Sequence, residues 1–345
     1  MAQEIMQQQR LRGLTMISFA IIAGGIVLIA LGIITLNLAA KVSQSGVQNS
    51  LDNQTSQSGS MFVKAWGSKG SDEGQFLEPA GVSLDSSGNV YVSDFSNNRI
   101  QKFTNNGTFI TKWGSSGSGE GQFNGPTGVA VDSSGNVFAV DMSNYRIQKF
   151  TSNGTFITKW GSSGSSDGQF NRPEKVAVDS SGNVYVSDVD NHNIQKFTNN
   201  GTFITKWGSS GSGEGQFNGP TGVAVDSSGN VYVADMSNYR IQKFTSDGKF
   251  ITEWKNPDIR NGEFYGAVGV AVDSSGNVYV SDFVNNQIQK FTNNGTFITK
   301  WGSSGSGEGQ FDRPENVAVD SSGNVYVGDT SNNRIQVFRQ DDRIR

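Results

Sequence analysis

The stretch that decides the fold is GVAVDSSGNVYVADMSNYRIQKFTSDGKFITEW, residues 222–254. Apolar side chains alternate with small or polar ones in four short runs, which is the pattern of half-buried β-strands. The runs are separated by DSSGN, MSNYR and TSDG, all typical turn sequences, and Asp-Gly is a preferred hairpin loop. Four short antiparallel strands within about 40–50 residues predict one blade of a β-propeller.

The same unit occurs six times at a fixed step of 47 residues. The step is kept by the only six tryptophans and by a phenylalanine in the loop that follows each of them. We expect these aromatic side chains to pack between neighbouring blades. They are Trp66, Trp113, Trp160, Trp207, Trp254 and Trp301, with Phe76, Phe123, Phe170, Phe217, Phe264 and Phe311.

The two ends of the repeat array predict a closed ring. MFVKAW (residues 61–66) is a fourth strand without its first three, and the last unit contains three strands before the chain stops. We therefore expect the strand at 61–66 to complete the last blade. The predicted fold is all-β, a six-bladed propeller over residues 61–345, in which closure removes the exposed edges that invite aggregation.

The residues before the repeats differ in composition. No charged side chain occurs between Gly13 and Ala40, a length sufficient to span a bilayer. We predict a cytoplasmic segment over 1–13, a transmembrane helix over 14–40 and a flexible Ser/Gln-rich stalk over 41–60, with the propeller outside the cell membrane. Arg10 and Arg12 before the span, against Lys41 after it, favour this single-pass orientation. An alternative is a pilin-like leader that is cleaved after Gly13.

Composition excludes several kinds of chemistry. The formal net charge is −4, so the chain offers no basic field for nucleic acid. It has no cysteine, which excludes thiolate metal sites and cysteine nucleophiles. The one histidine, His192, lies in the turn sequence VDNHN, where we expect a turn or surface residue rather than a general base.

VAVDSSGNVYVADMSNYRIQKF (residues 223–244) resembles the NHL-repeat family, and the resemblance recurs six times from Met61 to about Arg339. It implies a six-bladed propeller and a structural ion pair between the aspartate that closes each second strand and the arginine that opens the third. The matching aspartates are Asp94, Asp141, Asp188, Asp235, Asp282 and Asp329; the matching arginines are Arg99, Arg146, Arg240 and Arg334. Asn193 and Gln287 depart from the pattern, so blades 3 and 5 should lack the pair.

The family includes enzymes, RNA binders and protein binders, so the fold leaves function open. Its amidating lyases hold zinc with several histidines, and one histidine cannot supply that site. Its RNA-binding members present a basic face, which is missing here.

Carboxylates recur at one position of the loop between blades. They are Glu73, Glu120, Asp167, Glu214 and Glu308. Such a ring would bind a cation or a basic partner, or simply keep a Gly-Ser loop solvated. The DSSGN turns lack the alternating oxygen ligands of an EF-hand. We therefore predict no cofactor and no metal site, and keep Ca²⁺ as a candidate ligand.

Departures from the repeat point to a candidate binding surface. RPEK (172–175) and RPEN (313–316) enter opposite blades, so Glu174 and Glu315 should face each other at the channel mouth. Lys175 and Asn316 flank them, and Thr127 and Thr221 occupy the neighbouring positions in blades 2 and 4. The blade 5 loop adds Lys255, Asp258, Arg260 and Tyr265. Drift between duplicated copies would also produce such differences.

Five Asn-x-Thr sequons are candidates for glycosylation if the domain is outside the cell. They are Asn53, Asn106, Asn153, Asn200 and Asn294, and all but Asn53 coincide with hairpin turns.

Together these features predict a non-catalytic scaffold module, displayed on the cell surface, that binds a protein or glycan through the loop face of the propeller. Two alternatives stay open. One is a metal-assisted lyase or hydrolase that uses Glu174 and Glu315 in the channel. The other is a surface-layer or pilus-like structural subunit.

Overall fold

The structure is a computed structural model that describes residues 60–255 and 265–340. In it the repeat units form six four-stranded antiparallel sheets. The alternating runs identified in the sequence form the strands, and the turn sequences join them. Within the described ranges no helix is long and apolar enough to cross a bilayer. The predicted anchor over 14–40 and nearly all of the predicted stalk lie outside those ranges.

The strands are numbered along the chain, and blades 1–6 follow the same order. The first strand is β1 (Ser60–Trp66). Blade 1 contains β2 (Pro79–Leu84), β3 (Val90–Asp94), β4 (Arg99–Phe103) and β5 (Phe109–Trp113). Blade 2 contains β6 (Pro126–Val131), β7 (Val137–Asp141), β8 (Arg146–Phe150) and β9 (Phe156–Trp160). Blade 3 contains β10 (Pro173–Val178), β11 (Val184–Asp188), β12 (Asn193–Phe197) and β13 (Phe203–Trp207).

Blade 4 contains β14 (Pro220–Val225), β15 (Val231–Asp235), β16 (Arg240–Phe244) and β17 (Phe250–Trp254). Blade 5 contains β18 (Ala267–Val272), β19 (Val278–Asp282), β20 (Gln287–Phe291) and β21 (Phe297–Trp301). Blade 6 contains β22 (Pro314–Val319), β23 (Asn324–Asp329) and β24 (Arg334–Gln340). Short 3₁₀ turns follow β7 at Met142–Asn144 and β15 at Met236–Asn238.

The N-terminal strand closes the ring. β1 pairs antiparallel with β24, with Trp66 opposite Ile335 and Ser60 opposite Gln340. The sheet of blade 6 therefore has the order β1-β24-β23-β22, with its outer strand supplied by the other end of the repeat array. This confirms the predicted closure and the six-bladed, four-stranded architecture.

Within the described residues, the tryptophans and loop phenylalanines join neighbouring blades, as predicted; Phe264 lies outside those residues. The ring of Trp113 in blade 1 lies 5.9 Å from that of Phe150 in blade 2, and Phe123 lies 5.7 Å from the same ring. A Cβ at Gly154 would stand 2.6 Å from Trp113, so a glycine is needed where that ring covers the turn. Each aromatic side chain buries a large apolar area, and this inter-blade layer is the core of the ring.

The aspartate that opens each DSSGN turn is used by the turn itself. In blade 4, Asp226 accepts hydrogen bonds from the backbone N–H groups of Ser228 (2.9 Å) and Asn230 (2.8 Å). The Asn230 side chain and the Tyr232 hydroxyl also donate to it, at 2.7 and 3.0 Å. Burial, reinforced by Asp226, raises the pKa of the Tyr232 hydroxyl, which therefore remains a donor. The backbone and asparagine bonds recur in every blade, and the tyrosine bond in all but blade 2, where Phe138 takes that position. Turn capping therefore explains the repetition.

The loop between blades is held by the predicted Asp–Arg pair. Arg146 Nε lies 2.7 Å from Asp141, and the rest of its guanidinium donates to the backbone carbonyls of Ser118, Gly119 and Gln122. Equivalent pairs occur in the three other blades that carry the arginine. One buried guanidinium thus fixes both its own sheet and the loop entering the blade.

Blades 3 and 5 replace this arginine, as the sequence indicates. Asn193 donates to the backbone of Asn191 at 3.2 Å, and its buried Oδ1 has no partner within the described residues. Burial raises the pKa of Asp188 in blade 3, and hydrogen bonds from the Arg172 backbone N–H and the Asn191 side chain oppose the rise. The loop of blade 3 is therefore held by fewer hydrogen bonds than that of blade 2.

Candidate functional site

A cavity of about 280 Å³ opens where the inner strands begin, at the mouth of the central channel. We call it the mouth cavity. Among the described residues, blades 1, 2, 3 and 6 line it and no residue of blade 4 or 5 does, so the lining is asymmetric. The lining residues are Glu78, Ala80, Phe95, Thr127, Met142, Arg172, Glu174, Arg313, Glu315 and Thr330.

Two kinds of chain segment supply these side chains, and blade 3 contributes only the first kind. One is the residue or two at the start of the inner strand, and the other is the first residue of the turn between the second and third strands. Hydrogen bonds join the two segments: in blade 1, the Phe95 N–H donates to the Glu78 carbonyl at 3.2 Å. The walls of the cavity are therefore set by the sheets rather than by free loops.

The structure brings Glu174 and Glu315 to the same cavity, with side chains that are 17% and 19% exposed. Arg313 donates to Glu315 at 2.8 Å, and no other donor of the described residues reaches that carboxylate. For Glu174 the nearest cation is the Lys175 ammonium at 3.9 Å, and no hydrogen-bond donor of the described residues reaches its carboxylate. Burial raises the pKa of Glu174, Lys175 opposes this rise and Glu315 adds to it.

Lys175 and Asn316 do not line the mouth cavity with the two glutamates. The Lys175 side chain is 4% exposed, and its ammonium donates to the carbonyl of Ala80 at 2.7 Å, reaching from blade 3 to blade 1. Both residues line a second cavity of about 210 Å³, which the inner strands of all six blades enclose. The predicted set is thus divided: the glutamates line the mouth, and Lys175 and Asn316 line the channel beyond it.

Of the two predicted threonines, only Thr127 lines the mouth cavity. Thr127 is 3% exposed and lines the mouth cavity, yet its hydroxyl has no hydrogen-bond partner among the described residues. Thr221, at the same position of blade 4, donates its hydroxyl to the carbonyl of Ala267 at 3.1 Å and does not line that cavity. One repeat position therefore holds a satisfied hydroxyl in one blade and an orphaned one at the candidate site.

Sequence reasoning missed the apolar wall of the mouth. Phe95 and Met142 each open the turn after the second strand, a position that the charged and polar motifs do not include. The available signal was an apolar residue directly after the repeated aspartate, where a turn normally carries a polar one. A Cβ at Gly125 would come within 2.9 Å of the Phe95 ring, so the next blade leaves room for it.

The blade 5 candidates lie apart from the mouth cavity. Lys255 is exposed, and Tyr265, which is 49% exposed, meets the ring of Tyr239 edge-on at 6.3 Å. Neither lines the mouth cavity. Asp258 and Arg260 lie outside the described residues.

The loop carboxylates lie beside the outer strands and do not line the mouth. Asp167 pairs with Lys206 at 2.9 Å, and two exposed pairs, Lys112–Glu73 and Lys159–Glu120, are 3.8 and 3.9 Å apart. Within 60–255 and 265–340, Glu214 and Glu308 form no ion pair, since blades 4 and 6 carry Glu253 and Ala65 at the lysine position. Among the described residues, no cluster of three or more histidine or carboxylate side chains is arranged to hold a metal ion.

His192 lies at a joint between blades. Its backbone is left-handed (φ 52°), and its Nδ1 accepts a long hydrogen bond, 3.4 Å, from the Gly219 N–H of blade 4. Asn98 makes the equivalent bond from blade 1 to Gly125 at 2.9 Å. His192 therefore has the structural turn position that the sequence indicates.

The sequon asparagines within the described ranges are exposed. They lie in hairpin turns before the outer strands: Asn106, Asn153, Asn200 and Asn294. Asn53 lies outside the described ranges, and glycosylation at all five stays a prediction.

Comparison with known proteins agrees with this architecture. The NHL repeat matches the chain six times, at residues 76–103, 123–150, 170–197, 217–244, 264–291 and 311–338. The chain belongs to the NHL-repeat proteins. No curated protein matches the sequence significantly.

Several solved structures share the fold at low identity. A Bacteroides thetaiotaomicron protein of unknown function superposes with a TM-score of 0.63 at 18% identity, covering 82% of this chain and 76% of that one. A gluconolactonase from Xanthomonas campestris gives 0.59 at 13% identity, covering 78% and 88%. Virginiamycin B lyase from Staphylococcus aureus gives 0.53 at 15% identity, covering 75% and 79%. At such identity the likeness extends to the fold alone.

Proposed function

We propose that this protein is a non-catalytic binding module that recognises its partner through the mouth cavity. The observation that carries the proposal is the asymmetry of an otherwise repeated ring. Side chains at the start of the inner strands, where the units differ in sequence, line one concave site in blades 1, 2, 3 and 6, with an apolar wall and a few polar groups. Such sites are where proteins bind ligands by default.

The proposal includes display at the cell surface. The apolar segment over 14–40 would anchor the chain with its N-terminus in the cytoplasm, and the stalk over 41–60 would hold the ring away from the membrane. A protein or a glycan of the cell surface is then the accessible partner. Many tethered copies could bind such a partner multivalently.

Capture with the full-length chain as bait tests the proposal. Surface proteins and glycans are captured with the wild type, with a Glu174→Gln/Glu315→Gln variant and with a Phe95→Ala variant. We expect at least one ligand whose capture falls about tenfold in both mouth variants. Glu120→Gln, a change in an exposed loop pair outside the cavity, is the matched control and should leave capture unchanged. Ligands captured equally by all four chains would contradict binding at the mouth.

A lyase or hydrolase is the second candidate, and one observation favours it. Glu174 is a nearly buried carboxyl with a raised pKa beside a second carboxylate, and perturbed groups of this kind are common in active sites. Two of the structural neighbours are, by name, a lyase and a gluconolactonase. Acid release from glucono-δ-lactone, followed at constant pH, decides between the candidates. We expect no release above that of Glu174→Gln, whereas release lost in that variant would favour the enzyme.

A further inference from the structure

We propose that the mouth cavity binds a primary alkylammonium group, such as the end of a lysine side chain. The inference rests on the proposed function, because it names the chemistry that the mouth recognises. The carrying observation is a set of three hydrogen-bond acceptors that meet at one cavity beside an apolar wall. They are the nearly buried carboxylates of Glu174 and Glu315 and the hydroxyl of Thr127. The third carboxylate of the lining, Glu78, is exposed and accepts a hydrogen bond from the Ser96 hydroxyl at 2.6 Å.

The two carboxylates have acceptor capacity that the protein does not use. Within the described residues Glu174 accepts no hydrogen bond, and Glu315 accepts one, from Arg313. A nearly buried carboxylate is costly unless it is paired and hydrogen-bonded. A cationic donor in the cavity would supply what both groups lack.

Thr127 is an independent sign of a missing ligand. Thr127 lines the same cavity, and its buried hydroxyl has no partner within the described part of the chain. Buried hydroxyls almost always have a partner in folded proteins, and each exception calls for an explanation. The equivalent Thr221 has its partner within the ring, so the repeat itself does not require an orphaned hydroxyl here.

The number of donors favours an ammonium over other cations. An alkylammonium carries three N–H donors and one alkyl substituent, which matches three acceptors and an apolar wall. Phe95, Met142 and Ala80 supply that wall for the alkyl chain. A guanidinium has five donors in a fixed plane and would leave some of them unpaired in the cavity.

The charges at the rim do not favour an anion. Arg313 is already paired with Glu315 at 2.8 Å, and Arg172 lies 3.5 Å from Asp190. The Lys175 ammonium lies 3.9 Å from Glu174 and donates to the Ala80 carbonyl at 2.7 Å, so an anion in the cavity would face the two glutamates without an unpaired cation among the described residues that line it. Like charges brought together in a partly buried site are unfavourable.

The test titrates n-butylammonium into the full-length chain, with binding followed by ligand-observed NMR. We expect saturable binding of n-butylammonium, and at least tenfold weaker binding of n-butanol, butyrate and Ca²⁺. Thr127→Val should weaken binding about tenfold, the loss expected for one hydrogen bond to a charged group. Thr221→Val is the matched control, the same change at the same repeat position outside the mouth, and should alter binding less than twofold.

Each result has a defined consequence. Equal binding of n-butanol, tighter binding of butyrate or Ca²⁺, or equal effects of the two threonine variants would overturn the ammonium assignment. If n-butylammonium does not bind but a surface partner is lost with the mouth variants, the ligand class is wrong and the proposed function stands. If n-butylammonium binds as expected but no partner depends on the mouth, the ligand class stands and the proposed function fails.

Discussion

Replacing Arg146 by asparagine copies into blade 2 the residue that blade 3 carries at the same position. In blade 2 the guanidinium pairs with Asp141 at 2.7 Å and donates to three loop carbonyls at 2.7, 2.8 and 2.9 Å. Arg146 is 7% exposed and Asp141 is fully buried. The variant would leave a buried carboxylate without its cation.

Breaking a buried ion pair from one side costs about 3–5 kcal/mol, because the remaining charge stays desolvated. The asparagine amide recovers part of one hydrogen bond, so we expect a loss of about 3 kcal/mol in the free energy of unfolding. Urea denaturation followed by tryptophan fluorescence measures it, since a tryptophan ends the outer strand of every blade.

Lys159→Ala provides the control. It removes an exposed pair, Lys159–Glu120, with 3.9 Å between its charged atoms, and should cost at most about 1 kcal/mol. The reciprocal change Asn193→Arg should stabilise the protein by about 1 kcal/mol, because it gives Asp188 a cation and removes an orphaned amide oxygen. A cost for Arg146→Asn no greater than that of the control would refute the structural role of the clamp.

Three further predictions concern the mouth, the inter-blade layer and the closure. Burial raises the pKa of Glu174; its ionised form therefore destabilises the native state above that raised pKa. Glu174→Gln should therefore raise the free energy of unfolding by about 1 kcal/mol at pH 7, and by progressively less as the pH falls. Thermal unfolding measures the change, and a midpoint unchanged at pH 7 would contradict this prediction. Gly154→Ala places a Cβ 2.6 Å from a tryptophan ring and should cost about 1–3 kcal/mol in urea denaturation. Gly168→Ala, where φ is also positive but nothing lies within 4 Å, should cost less, and equal costs would argue against the packing. The double variant Ala65→Cys/Gln336→Cys places two cysteines at paired positions of β1 and β24, in a chain that otherwise has none. It should form a disulfide under mild oxidation, which a non-reducing gel shows as faster migration. Failure to form the disulfide would contradict the closure.

The repeat made the architecture predictable, because a 47-residue period with four strand patterns admits few folds. The pairing of residues 61–66 with the last unit followed from counting strands, and the structure confirms it. The Asp–Arg pairs were implied by the resemblance to the NHL-repeat family, and their loss in blades 3 and 5 followed from single positions of the repeat. These features depend on local pattern, which a sequence shows directly.

The mouth was only partly predictable. The placement of Glu174 opposite Glu315 could be inferred from blades three apart, but the separation of Lys175 from them depends on which way consecutive strand residues point. The orphaned hydroxyl of Thr127 could not be foreseen, because Thr221 has nearly the same local sequence. Its difference arises from which neighbouring blade supplies an acceptor, and that is a property of the assembled ring.

The most direct test of ligand recognition at the mouth uses the two methionines at equivalent turn positions. Met142 lines the mouth cavity, and Met236, its counterpart in blade 4, does not. With ¹³C-labelled methionine methyl groups in the full-length chain, titration with n-butylammonium should shift the Met142 signal saturably and leave the Met236 signal in place. A shift of Met236 alone, equal shifts of both signals, or no shift of either would contradict recognition at this site.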